Sequence, residues 1–144
     1  VADIPLTGGI PLALQKAVAS ALAGITAPSA GTGAAPVGVF LFDGPPDNAQ
    51  WPLIVLEKHE VDLRESALDG PQLAHTLDLA VWSQYLGSRQ VLAILDQIYL
   101  RLHDARLVLE AGESVSCSVE GFSSERGDDG RTYQGALVVK ALTG

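Results

Sequence analysis

The stretch from Leu73 to Asp104 constrains this chain most, because an alternating run, a turn and a helical run follow one another without a break. Leu73, His75, Leu77, Leu79 and Val81 fall on one face of a two-residue repeat, and Gln72, Thr76, Asp78 and Ala80 fall on the other. This predicts a half-buried strand. After a turn at Leu86-Gly87, Ser88 is placed to cap a helix in which Val91, Ile94, Leu95, Ile98 and Leu102 recur at three- and four-residue spacing. A strand followed at once by an amphipathic helix lets the helix fold back over the sheet's apolar face. The pair reads as the core of one small layered domain.

A chain of 144 residues is of ordinary single-domain size, able to bury a core without metal or disulfide support. One domain spanning 1–144 is expected. Hydrophobic residues make up 47% of it and aromatic ones only 6%, so Val, Leu and Ala must fill the interior. The formal net charge of -8 sets the average surface against phosphate backbones and anionic lipid, which argues against duplex DNA as a high-affinity partner. It suits an acidic wall past which DNA slides. The single cysteine, Cys117, rules out an internal disulfide and a cysteine-based zinc site. With neither a basic start nor a long apolar segment, the expectation is a soluble cytoplasmic product with no membrane partner, its initiator methionine removed ahead of Val1.

Along the chain, residues 1–10 read as an extended arm, with Pro5 and Gly8-Gly9 among apolar Ile4 and Leu6. Pro11 to Ala23 is predicted as a helix with Leu14, Val18, Leu22 and Ile25 on one stripe, closed by Gly24 and Pro28. Ala27 to Pro36, all small, uncharged or turn-forming, reads as a mobile surface loop. Val37 to Phe42 and Trp51 to Val61 are expected strands around the turn cluster Asp43 to Asn48, and Arg64 to Pro71 a polar connection. Gln72 to Gln84 is the long strand, Ser88 to Asp104 the second helix, and Arg106 to Leu109 a short extended piece. Two alternating strands follow, around Val115, Cys117 and Val119 and around Tyr133, Leu137 and Val139; Ser123 to Gly130 forms a long charged hairpin tip between them. The fold class is therefore α+β: an antiparallel sheet, two helices packed on one face, and a long C-terminal hairpin.

No reaction centre emerges from the residue pattern. His59, His75 and His103 share no spacing that turns two of them toward one metal; His75 sits on its strand's apolar face as a core or interface histidine, and His59 and His103 read as solvated. Cys117 faces inward between Ser116 and Ser118, where burial leaves an inert thiol. The glycine runs lack phosphate-loop context, so no nucleotide cofactor is indicated. Asp43, Asp47, Asp128 and Asp129 belong to turns, where the carboxylate serves the backbone. Arg126-Gly127-Asp128 spells an adhesion tripeptide inside such a turn. Trp51, Trp82 and Tyr133 read as packing residues.

Five segments occur in one order: Phe42-Asp43-Gly44-Pro45-Pro46 with Trp51 to Leu56 behind it, His75 to Ser83, Leu100 to Ala105, and Asp129 to Gly135 before a last apolar strand. Together, over Pro11 to Leu142, they resemble a family of small proteins of tailed phages, prophages and gene transfer agents, placed among tail completion or tail terminator proteins. The resemblance implies a structural role without catalytic, cofactor or metal residues. In it, six copies form a ring at the head-proximal end of the tail tube, stop tube growth, contact the tail tube protein and a neck or stopper protein, and leave a channel for DNA. The Ala27 to Pro36 loop and the apolar arm depart from the family's usual pattern.

A ring closes when each copy presents two different complementary surfaces. The turn residues Asp43, Pro45, Pro46 and Asp47 and the hairpin-tip residues Glu125, Arg126, Asp128, Asp129 and Arg131 are the expected contacts with neighbouring subunits or rings. Two other readings use the same residues. One is a head-completion or stopper protein one ring nearer the capsid, separable only by position in a particle. The other, of a different class, is a small hydrolase or ligand-binding enzyme using Cys117, His75 and a nearby Asp, which requires those groups within hydrogen-bond reach.

Overall fold

The structure is a computed structural model that describes residues 10–28, 34–40, 52–66, 70–84, 88–110, 112, 114–127 and 130–143. The first helix, α1 (Ile10–Leu22), buries Leu14, Val18 and Leu22 on the predicted stripe and ends at Gly24, whose φ of 81° is the left-handed geometry that stops a helix. The second, α2 (Ser88–Leu102), buries Val91, Ile94, Leu95, Ile98 and Leu102. It ends at Asp104, a non-glycine residue at φ 54°, tolerated because a short polar side chain pays least for that conformation. Neither helix is long and apolar enough to cross a membrane.

Between α1 and the main sheet lies a feature the sequence disguises. β1 (Thr26–Pro28) and β2 (Ala34–Pro36) pair antiparallel, Thr26 opposite Pro36 and Pro28 opposite Ala34, so the two ends of the expected mobile loop form a small two-stranded sheet. Its own side chains are too small to hold it. α2 does so from outside: Gln97 Nε2 donates to the carbonyl of Thr26, and Gln90 Nε2 donates to that of Pro28 at 2.5 Å. Ile25 and Ala27 are buried beneath.

The main sheet contains β3 (Gly38–Phe40), β4 (Leu53–Ser66), β5 (Gly70–Ser83), β6 (Ala105–Val108), β7 (Ser114–Arg126) and β8 (Tyr133–Thr143), in spatial order β3-β4-β5-β8-β7-β6. β3 runs parallel to β4 and every other pair is antiparallel, so the sheet is mixed rather than antiparallel. A Pro- and Gly-rich cluster reads as a tight turn, and a tight turn would force antiparallel neighbours; the chain between Phe40 and Leu53 instead returns to the starting end. Residues Leu41 to Trp51, the predicted turn included, lie outside the described residues, as do residues 1–9, 29–33 and 85–87.

Both helices lie on one face. α2 packs on β5, β7 and β8, while α1 packs on α2 and touches both edge strands, β3 and β6, so the sheet curls around the helical layer. The core is Ile54, Leu56, Leu77, Leu79, Val81, Leu137 and Val139 from the sheet's centre, closed by the stripes of α1 and α2.

The two long hairpins project from opposite ends of this sheet. β4 and β5 stay paired out to Ser66 and Gly70, so the expected polar connection from Arg64 to Pro71 is strand over residues 64–66 and 70–71, while residues 67–69 lie outside the described residues. It shows no alternation because the helical layer does not reach it; Leu63, on the inner face, is 78% exposed. At the other end β7 runs to Arg126, opposite Tyr133, so the predicted tip from Ser123 shortens to residues 127–132. Each hairpin carries one β-bulge, between Leu56 and Lys58 and between Val119 and Gly121.

Candidate functional site

On the inner face, four polar side chains, one each from α1, β4, β5 and β8, form a line. Gln15 Nε2 lies 2.9 Å from His59 Nδ1, His59 Nε2 lies 2.9 Å from His75 Nδ1, and His75 Nε2 lies 3.0 Å from Thr143 Oγ1. The β4 bulge makes this possible. Past Glu57 the pleat changes phase, so His59 pairs with Leu77, Val61 pairs with His75, and both histidines point to the core side. Sequence spacing could not bring them together, because strand register and a one-residue slip decide it; His59, expected to be solvated, is half-buried.

One tautomer assignment satisfies every nitrogen. The Gln15 amide donates to His59, His59 Nε2–H donates to His75, and His75 Nε2–H donates to the Thr143 hydroxyl, with both rings neutral. Burial, with the neighbouring His59 second, pushes His75 down to about 4, and burial also lowers His59. The buried Gln15 Oε1 has no partner. Turning that amide over would let Oε1 accept from a protonated His59, so the line can hold one added proton and no more.

The groups a hydrolase would need are not brought together. Cys117 on β7 and His75 on β5 both pair with Ala141 of β8, which puts two strand spacings, about 10 Å, between them. Burial raises the Cys117 thiol to about 11, and His75 spends both nitrogens on His59 and Thr143. Among the described residues, no three His, Cys, Asp or Glu side chains could hold a metal. His103, also expected to be solvated, accepts from the Val119 backbone N–H at 3.1 Å and stacks on Tyr99.

Among the described residues, no helix covers the opposite face of the sheet. Asp62, Arg64, Thr76, Ser118, Glu120 and Lys140 rim an open hollow of ≈ 340 Å³ there, Lys140 Nζ donating to Thr76 Oγ1 at 2.7 Å. Both signs of charge alternate around it. Of the residues singled out as contacts, Glu125 and Arg126 are exposed at the end of β7, opposite Gln134 and Tyr133, and Arg131 is exposed just beyond. Arg126 Nη2 also donates to the Gly130 carbonyl at 3.1 Å, so this side chain shapes the tip as well as facing outward. Asp43, Pro45, Pro46, Asp47, Asp128 and Asp129 lie outside the described residues.

What these residues build is a one-sided α+β protein whose sheet bears two oppositely directed hairpins and whose inward-facing histidines serve one another. The chain belongs to the family described as tail completion protein gp17, whose model matches residues 14–144. It is thus a structural component of a phage or phage-like particle. Among solved structures it is similar to a chain of the virion of a native gene transfer agent particle, at 21% identity and a TM-score of 0.68, over 90% of this chain and 92% of that one; that likeness is one of fold. A search of curated proteins finds no match.

Proposed function

We infer that this tail completion protein is a tail terminator: a ring of copies, six by the resemblance, seated on the end of the tail tube. The ring halts tube growth, joins the tube to the neck or stopper protein, and leaves a channel through which DNA passes. One observation carries the reading beyond family membership. The long hairpins run to opposite ends of the sheet, with Asp62 and Arg64 exposed along one and Glu125 and Arg126 along the other, so a single copy has distinct grips for partners on two sides, as a head-to-tail ring requires. The contact residues are those of the β7–β8 tip, Glu125, Arg126, Asp128, Asp129 and Arg131, with Asp43, Pro45, Pro46 and Asp47 at the second contact. A net charge of -8 favours a lumen lined by carboxylates that repel passing DNA.

Replacing Arg126 and Asp129 together by alanine is expected to leave a folded monomer and to separate tails from heads in electron micrographs. Normal particle assembly by this variant would overturn the assignment of the tip. Charge mapped on an imaged ring tests the channel, and a basic lumen defeats it.

A further inference from the structure

Among the described residues, the main sheet is unfinished on both sides, and the gaps lie on a diagonal. β3 covers the outer edge of β4 only at Leu53–Val55, which leaves that edge from Glu57 onward without a paired strand. β6 covers the outer edge of β7 only at Ser114–Cys117, which leaves the stretch to Arg126 likewise open past Val119, whose N–H is taken by His103. An uncovered edge is a row of backbone donors and acceptors in want of a strand. Strand directions alternate across β4, β5, β8 and β7, so the β7 edge of a second copy in the same orientation would meet the β4 edge antiparallel.

Side chains then select the register. Lys58 and Glu125 are exposed on the sheet's outer side, while Val61 and Phe122 are on its inner side; Phe122 is 45% exposed. Setting Lys58 opposite Glu125 also sets Val61 opposite Phe122 and Glu60 opposite Ser123, a salt pair and an apolar pair on their proper faces. Sliding by two residues either sets Glu60 against Glu125, a like-charge clash, or leaves Lys58 facing Ser123. Sliding by one turns the faces over.

We propose that this edge-to-edge pairing, β4 from Glu57 to Asp62 against β7 from Gly121 to Arg126 of a second copy of the chain, is the contact that joins neighbouring subunits. It rests on the ring reading above and gives it a register. Charge on an open edge ordinarily forbids pairing; here it forbids the alternatives and admits one.

The test is a charge exchange, read in particle-producing cells. Lys58→Glu alone and Glu125→Lys alone should each lower the yield of complete particles at least tenfold, and the two together should restore it to within about threefold of the parent. In particles of a Val61→Cys, Phe122→Cys double variant, mild oxidation should give a ladder of cross-linked copies, and neither single variant should give one. Singles with normal yield, or no ladder from a double variant that still enters particles, overturn the edge pairing while leaving the ring in place. The ring reading itself fails if images of the parent particle show single copies at the tail–neck junction, whatever the exchange does.

Discussion

His59 Nε2 lies 2.9 Å from His75 Nδ1, so two imidazoles on neighbouring strands share one hydrogen bond beneath α1. Neither ring faces a carboxylate in this line; their other partners are the Gln15 amide and the Thr143 hydroxyl.

That geometry fixes the sign of a pH effect. His75 stays neutral in the folded protein down to about 4, whereas the unfolded chain takes up a proton near 6.5. The contribution is whole above 6.5 and is lost as pH falls toward 4, by about 2 kcal/mol at pH 5. Urea unfolding at pH 7.5 and pH 5 measures it. In His75→Gln the difference between the two pH values should shrink by most of that amount; an unchanged difference would place the titration elsewhere.

Gly135 on β8 lies directly under Val91 and Leu95 of α2. A Cβ there would sit 2.8 Å from Leu95 Cδ1 and 2.8 Å from Val91 Cγ1, and both side chains are fully buried with nowhere to move. Gly135→Ala should cost about 1–3 kcal/mol and Gly135→Val more, seen as a lowered Tm with the far-UV spectrum retained. A neutral Gly135→Val would mean that α2 rides higher on the sheet.

Ile98, fully buried at the centre of the α2 stripe, gives the core's scale. Ile98→Ala should lose about 2–5 kcal/mol and Ile98→Val about 0.5–1.5 kcal/mol, because the first leaves a cavity that the sheet cannot close. Denaturant midpoints for the two variants provide the ratio.

Arg101 on α2 reaches the end of α1, where its Nη1 donates to the carbonyls of Ala21 at 3.1 Å and Ala23 at 2.5 Å. Arg101→Met should cost about 1 kcal/mol and speed amide exchange in the last turn of α1 and in β1. Arg101→Lys should recover only part of it, since its ammonium ends one bond short of the Nη1 position and is more strongly hydrated. Exchange confined to α2 instead would show that the clamp does not hold α1.

The parts legible in the sequence are those where burial on one side writes a period into the residues. The stripes of α1 and α2, the alternation from Leu73 to Val81 and that of Cys117 and its neighbours all return in the structure, because the helical layer faces each of them. Where the layer ends, the period ends. Strand continues through Arg64 and Gln72 and through Ser123 to Arg126 with no apolar rhythm to reveal it. The β1–β2 pair is hidden for another reason: its support is Gln90 and Gln97, polar residues on a helix read for its apolar face. The His59–His75 contact depends on a bulge, and a one-residue insertion relative to a partner strand leaves no mark in a single chain.

The bulges at Glu57 and Glu120 have a mechanical meaning for the arms beyond them. Each resets the pleat partway along its hairpin, so the residues tipward of it face the helical layer in a phase of their own. Adding or removing one residue from each of its two strands beyond the tip-side pairs moves the tip by about 3.4 Å and leaves every inward residue near the helices where it was. The protein thus owns two adjustable spacers, and the reach of either can be altered without rebuilding the centre.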